Sequence, residues 1–181
     1  MKTYAQHRRI IDADSHLMEL DDFLHIAARP EHLGFVPSMH DQKSLPVHKE
    51  GLEKGRALLA RRQQEPETMA KFEASMMDNT KSGWSRIGAF DPQERSHTLD
   101  LLGFEQQMVL PTYTLHQTLH AATDEALAAT AMTLNKAMAD FCAHDSRLKS
   151  IGYLPMNLGP EVAKQILDHG FADDCYTFLV P

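Results

Sequence analysis

The segment 9–16 has a short apolar start at Ile10 and Ile11, which is followed by polar residues at every second position. This alternation, with no helical period, predicts a β-strand. Side chains alternate between the two faces of a strand, so three polar side chains are expected to share one face. These three are Asp12, Asp14 and His16.

A long region with several prolines, residues 17–88, follows the first strand. Two helical patches are expected within it, around Glu50 to Arg62 and Thr68 to Met77. Connections between a strand and a helix usually contain only a few residues, so this region is too long for a simple loop. We interpret it as an insertion that forms a cap or one wall of a binding site.

Regular helix and strand signals begin at Asp91. This residue can act as an N-cap, Pro92 occupies the first helical position, Glu94 lies three residues after the cap, and Gly103 is placed to end the helix. The apolar residues within 105–112 then predict a buried strand.

Two further helix and strand pairs follow. Thr123 caps a helix whose apolar residues recur at spacings of three and four, and residues 148–156 predict the next strand. A Gly-Pro pair at 159–160 opens another helix, which Gly170 is expected to end, and residues 176–180 predict a fourth strand. This order of elements is typical of an α/β fold with a parallel sheet.

The composition of the 181-residue chain is that of an ordinary globular protein, with 43% hydrophobic and 24% charged residues. The net charge of −7 argues against a nucleic-acid partner, which requires a positive surface. No apolar stretch approaches the roughly 20 residues that cross a bilayer, and the N-terminus lacks a secretory signal, so no membrane partner is expected. The two cysteines, Cys142 and Cys175, are expected to be free thiols in a cytoplasmic protein.

Asp14 and His16 are the leading candidates for chemistry. The active site of a parallel α/β barrel forms at the carboxyl ends of its strands, and both residues lie at the end of the first predicted strand. A carboxylate and an imidazole two residues apart can bind one divalent ion, zinc or alternatively manganese. The other interpretation is that Asp12, Asp14 and His16 are turn and capping residues, because the pattern is short.

Polar residues after the second strand are candidates for contact with a small-molecule substrate. They are Thr112, Tyr113 and His116. His116 and His120 would share one face of a helix, but we favour a solvated or substrate-facing loop. In the insertion, Arg86 is a candidate for binding an anionic substrate, whereas Trp84 is interpreted as packing the insertion against the sheet.

The sequence IDADSHLME at 11–19 resembles the opening strand of the amidohydrolase-related proteins, which include aminocarboxymuconate-semialdehyde decarboxylase and γ-resorcylate decarboxylase. The resemblance continues through residues 88–92, 102–112 and 140–155, in the order of that family. Each motif is short, but together they cover most of the chain.

The resemblance implies that residues 1–181 form the first four or so units of a (β/α)₈ barrel, a partial barrel of the α/β class with the long helical insertion after its first strand. By position in that family, Asp14 and His16 would bind the metal. Glu19 and Asp12 would support this pair.

The resemblance implies metal-dependent hydrolysis, or non-oxidative decarboxylation, of a small carboxylated or cyclic substrate. The family places further ligands after its fifth, sixth and eighth strands, which would lie beyond Pro181. The alternative is therefore a catalytically incomplete fragment, or a half-barrel that acts as a binding or assembly module. Two unpaired sheet edges make a homodimer one expected arrangement.

Overall fold

The computed structural model describes residues 3–38, 45–77 and 83–181, and the side chains of 45–48 are not part of this description. The strands are β1 (Ile11–His16), β2 (Gln106–Leu110), β3 (Leu148–Tyr153) and β4 (Thr177–Leu179). The helices are α1 (Phe23–Ala27), α2 (Leu45–Gln64), α3 (Pro66–Ala74), α4 (Pro92–Leu102), α5 (Tyr113–Leu119), α6 (Asp124–Cys142) and α7 (Pro160–Ala172). Short 3₁₀ turns occur at Gly83–Ser85 and Met156–Leu158.

The four strands form one parallel sheet in the order β1-β2-β3-β4. Parallel neighbours cannot be joined by a tight turn, and each pair is connected through at least one helix. The predicted α/β class with a parallel sheet is therefore confirmed.

Helices α4, α6 and α7 contact the same face of the sheet. Ser15 of β1 is the register partner of Val109 in β2, which is in turn the partner of Ser150 in β3, and all three are buried. On the opposite face, Met108 and Leu110 of β2 are only half-buried. The sheet therefore has one covered face and one partly exposed face.

The main hydrophobic core lies between the covered face and the helices. Its largest fully buried apolar side chains are Leu17, Leu99, Val109, Leu134, Met138 and Ile166. Cys142 and Cys175 are free thiols, as expected. Both are buried, and burial raises the pKa of both thiols. In the described part of the chain, no helix is long and apolar enough to cross a membrane.

The predicted helix caps at Asp91 and Thr123 are confirmed. The Asp91 carboxylate accepts a hydrogen bond from the Glu94 amide at 2.8 Å, and the Thr123 hydroxyl accepts one from the Ala126 amide at 3.1 Å. Gly103 ends α4 with a φ of 71°, in the left-handed region that suits glycine.

The prediction that Gly170 ends α7 is wrong, because this helix continues to Ala172. Gly170 is buried, and a Cβ atom at this position would lie only 2.6 Å from Cζ of Phe178 in β4. The glycine therefore allows the helix to pack closely on the sheet and does not act as a helix terminator.

The inserted region forms a second, smaller core around Trp84, as predicted for this residue. The indole ring stacks on Tyr113 with 4.8 Å between ring centroids, and its Nε1 donates a hydrogen bond to the Glu19 carbonyl at 3.0 Å. Gly51 and Gly55 of α2 give the ring room, since a Cβ at Gly55 would lie 2.6 Å from Cβ of Trp84. Trp84 thus attaches α2 to the start of α5.

A buried ion pair joins the insertion to α4. Arg62 of α2 donates to both carboxylate oxygens of Glu94, at 2.6 and 2.8 Å, and the exposed fractions of the two side chains are 0% and 5%. The same carboxylate accepts a hydrogen bond from the Gly88 amide at 3.0 Å. Glu94 therefore holds two segments of the insertion on α4.

We expect Arg62→Met to lower the free energy of unfolding by about 3–5 kcal/mol, because it leaves a buried carboxylate without its cation. The double variant Arg62→Met/Glu94→Gln should recover at least about 2 kcal/mol of this loss, since it removes the unpaired charge and keeps an acceptor for Gly88. Urea denaturation of the purified variants measures both values.

The control is Arg61→Met, which breaks the exposed Arg61–Glu65 pair at 3.2 Å and should cost at most about 1 kcal/mol. If the double variant is as unstable as Arg62→Met, the unpaired charge of Glu94 is not the cause of the lost stability.

A second charged contact lies between the segment after α1 and the end of α7. Arg29 donates to both oxygens of Asp173, at 2.8 and 2.9 Å. Nearby, the Nδ1 atom of His32 is buried and has no hydrogen-bond partner among the described residues. Burial lowers the pKa of His32, Glu31 opposes this effect, and the positive charges of Arg29 and His169 add to it.

We expect this histidine to make the protein less stable in mild acid. Its pKa is lower in the folded chain than the ordinary value of 6.5, so the unfolded chain takes up the proton first. The contribution of His32 to the free energy of unfolding is complete above pH 6.5. It is lost as the pH falls through that value towards the pKa of His32 in the folded chain.

Urea denaturation between about pH 8 and about pH 5 should show a weaker pH dependence in His32→Asn than in the wild type. His7→Asn, at an exposed position, is the matched control and should follow the wild type. Identical pH dependence in wild type and His32→Asn would refute a role for His32.

Candidate functional site

Asp14 and His16 lie side by side at the carboxyl end of β1. The Asp14 Oδ1 atom is 3.5 Å from the His16 Nε2 atom, and the two side chains are 88% and 51% exposed. The other ring nitrogen of His16, Nδ1, is 2.9 Å from the hydroxyl of Thr112, just beyond β2. This contact orients the ring so that Nε2 faces the Asp14 carboxylate.

A bulge interrupts β1 between Asp12 and Ser15, and Asp14 lies within it. The chain advances three residues in β1, from Asp12 to Ser15, while β2 advances two, from Gln107 to Val109. One extra residue in a strand reverses the alternation of the side chains that follow it. Asp12 therefore points in the same direction as Ser15, towards the covered face of the sheet.

The prediction that Asp12, Asp14 and His16 share one face is therefore wrong. The Asp12 carboxylate accepts hydrogen bonds from the Gln107 side chain at 3.0 Å and from the Asp14 amide at 3.1 Å. His16 is the register partner of Leu110 and belongs to the partly exposed face. Asp12 thus stabilises the bulge, and His16 lies on the other side of the strand.

Arg95 of α4 fixes the end of β1 from the covered face. Its Nη1 donates to the Ser15 hydroxyl at 2.6 Å and to Gln107 at 3.1 Å, and its Nη2 donates to the carbonyls of His16 at 3.0 Å and Ala89 at 3.3 Å. Burial lowers the pKa of Arg95 to about 10, so the guanidinium remains charged at neutral pH. No local motif in the sequence distinguishes Arg95 from other polar helix residues.

Glu19 is fully buried and organises the turn between β2 and α5. Its carboxylate accepts hydrogen bonds from the amides of Thr112 at 2.6 Å and Tyr113 at 3.0 Å, and from the Thr114 hydroxyl at 2.6 Å. Burial raises the pKa of Glu19, and these hydrogen bonds oppose the rise. In this network, Glu19 reaches His16 through Thr112.

The segment after β2 is a helix, so the predicted loop at His116 is wrong. His116 lies in α5 and His120 follows its end, with the two rings stacked 4.2 Å apart. The physical reason is Glu19, whose carboxylate satisfies the amide groups at the start of α5 from almost a hundred residues away in sequence. Tyr113 is stacked on Trp84.

A pocket of about 350 Å³ lies beside the end of β1. It brings together four of the eight predicted site residues, namely Asp12, Asp14, His16 and Arg86. Arg95 and Gln107 also line it. The other four predicted residues do not line this pocket; these are Glu19, Thr112, Tyr113 and His116.

We expect Glu19→Gln to destabilise the protein by about 1–3 kcal/mol at neutral pH. A glutamine presents one acceptor and one donor to three hydrogen-bond donors, so at least one buried donor loses its partner. Urea denaturation measures the loss. Glu31→Gln, at an exposed position of the insertion, serves as the control, and equal stability of both variants would contradict the structural role of Glu19.

Two candidate ligands, Asp14 and His16, converge at this site. Within residues 3–38, 45–77 and 83–181, no group of three or more histidine, cysteine, aspartate or glutamate residues is placed to hold a metal ion. A scan against protein-family models and searches of curated proteins and of solved structures found no match to this chain.

Proposed function

We propose that Asp14 and His16 hold a divalent cation, zinc or manganese, and that the chain belongs to an amidohydrolase-type enzyme acting on a small carboxylated or cyclic substrate. The reaction is hydrolysis or non-oxidative decarboxylation. The observation that carries this proposal is the distance of 3.5 Å between the Asp14 Oδ1 and His16 Nε2 atoms.

This distance fits two ligands of one ion. Oxygen and nitrogen ligands lie about 2.1 Å from zinc, and at a tetrahedral angle two such atoms are about 3.4 Å apart. Both side chains are at least half exposed, so an ion can reach them from solvent. A catalytic zinc site usually has three protein ligands, so this pair forms part of the coordination sphere.

The surroundings of His16 suit a metal ligand. Histidine ligands normally use their second ring nitrogen for a hydrogen bond that fixes the ring, and Thr112 provides this contact at 2.9 Å. Arg95 fixes the backbone at His16 by binding its carbonyl oxygen. A bound cation would supply Lewis acidity or an activated water molecule at this point.

The fold supports the barrel interpretation. Four parallel strands follow one another in sequence order, and α4, α6 and α7 cover one face, as in a (β/α)₈ barrel, which we propose as the complete architecture. Asp14 and His16 lie at the carboxyl end of the first strand, where such barrels have their active sites. Arg86 lines the adjacent pocket and suits a carboxylate group of the substrate.

Metal titration of the full chain tests this proposal. We expect about one equivalent of zinc, measured by calorimetry and by elemental analysis after dialysis, and no binding to Asp14→Ala/His16→Ala. The matched control is His116→Ala/His120→Ala, which removes the stacked histidine pair at α5 and should leave zinc binding intact.

Thr112→Val gives a finer test, because it keeps the shape of the side chain and removes the hydroxyl that contacts His16. We expect zinc affinity to fall about 10- to 100-fold in this variant. No zinc bound to the wild type, or undiminished binding in Asp14→Ala/His16→Ala, would refute the proposal.

A further inference from the structure

A second pocket, of about 280 Å³, lies between α3 and α4. Its wall is mainly apolar and includes Tyr4, Phe72, Met76, Met77 and Phe104. Within this wall, the rings of Tyr4 and Phe104 meet edge to face with 6.1 Å between their centroids. None of these five residues lines the pocket beside β1.

The two pockets are adjacent. Arg86, Ile87, Thr98 and Leu102 line both of them. We refer to the two adjacent pockets along α4 together as the α4 cleft. Its polar end contains Asp14 and His16, and its apolar end contains the aromatic and methionine side chains.

Neighbouring side chains hold the wall of the apolar end in place. The guanidinium of Arg62 lies 4.7 Å from the centre of the Phe72 ring, and Arg62 is itself held by the buried pair with Glu94. Methionine side chains such as Met76 adapt easily to the shape of an apolar ligand. Pockets of this kind, mostly apolar with a few polar groups at one end, are typical of small-molecule sites.

We propose that the α4 cleft binds a carboxylate with an extended apolar chain. The carboxylate lies next to the cation at Asp14 and His16, and the chain lies along Ile87 and Leu102 against Phe72 and Met76. This assignment rests on the proposed metal function, which places a cation at Asp14 and His16, and Arg86 lines the same part of the cleft. The inference extends the proposed function, because it specifies that the carboxylated substrate also has an extended apolar chain.

The two ends of the cleft contribute separately to binding. Burial of the chain depends on the apolar wall and should strengthen binding about fourfold for each added methylene, until the pocket is filled. Binding of the carboxylate depends on the cation. The two contributions can therefore be measured independently.

The experiment is calorimetric titration of the zinc-loaded full chain with straight-chain carboxylates of about four to about ten carbons. We expect the dissociation constant to fall about fourfold per carbon over part of this series. Met77→Asp, at a position 60% exposed, should weaken this dependence, and Met76→Asp/Met77→Asp should abolish it. Thermal unfolding verifies that each variant is folded.

The matched control is Ile26→Asp, which places the same charge on an apolar side chain that is 78% exposed and outside the cleft. This variant should retain the chain-length dependence. An affinity independent of chain length in the wild type, or a dependence unchanged in the double methionine variant, would overturn the inference. Tighter binding of straight-chain amines than of carboxylates would also overturn it.

The same series with Asp14→Ala/His16→Ala separates the inference from the metal proposal. We expect weaker binding of every carboxylate but an unchanged dependence on chain length. If zinc has no effect and the dependence persists, the metal proposal fails and the apolar site stands. If zinc strengthens binding of the shortest carboxylates but longer chains gain nothing, the inference fails alone.

Discussion

The geometry of the candidate site depends on the hydrogen bonds that the buried guanidinium of Arg95 donates. It binds the Ser15 hydroxyl and the His16 carbonyl, and so fixes the end of β1 against α4. The preceding residue, Glu94, binds Arg62 of the insertion. Two consecutive residues of α4 thus attach the helix to the sheet and to the insertion. Because both charges are buried, a shift of either segment would leave a buried charge without its hydrogen-bond partners, at high cost.

A buried carboxylate orders the other side of the site. Glu19 satisfies the amides of Thr112 and Tyr113, so α5 begins directly after β2. Thr112 then presents its hydroxyl to His16. Desolvation makes a charged Glu19 costly, as its raised pKa indicates, and the three hydrogen bonds offset this cost. The position of the His16 ring is therefore determined from both β1 and the α5 turn.

Local sequence signals predicted much of the fold, because they involve residues close together in the chain. The four strands and the caps at Asp91 and Thr123 are of this kind. The role of Gly170 depends on Phe178 in the next strand, and α5 depends on the distant Glu19, so neither was predictable from local pattern. Of the candidate site, Asp14 and His16 were predicted from their strand-end position, whereas the contacts of Arg95 arise only when α4 packs on the sheet.

The bulge in β1 divides the roles of two aspartates that a regular strand would make equivalent. Without the extra residue, Asp12, Asp14 and His16 would lie on one face and offer three ligands. With it, both carboxylate oxygens of Asp12 accept hydrogen bonds, one from Gln107 and one from the Asp14 amide. Asp14 remains 88% exposed beside His16. The irregularity therefore assigns Asp12 to the stability of the strand end and leaves Asp14 beside His16, the pair that we propose as cation ligands.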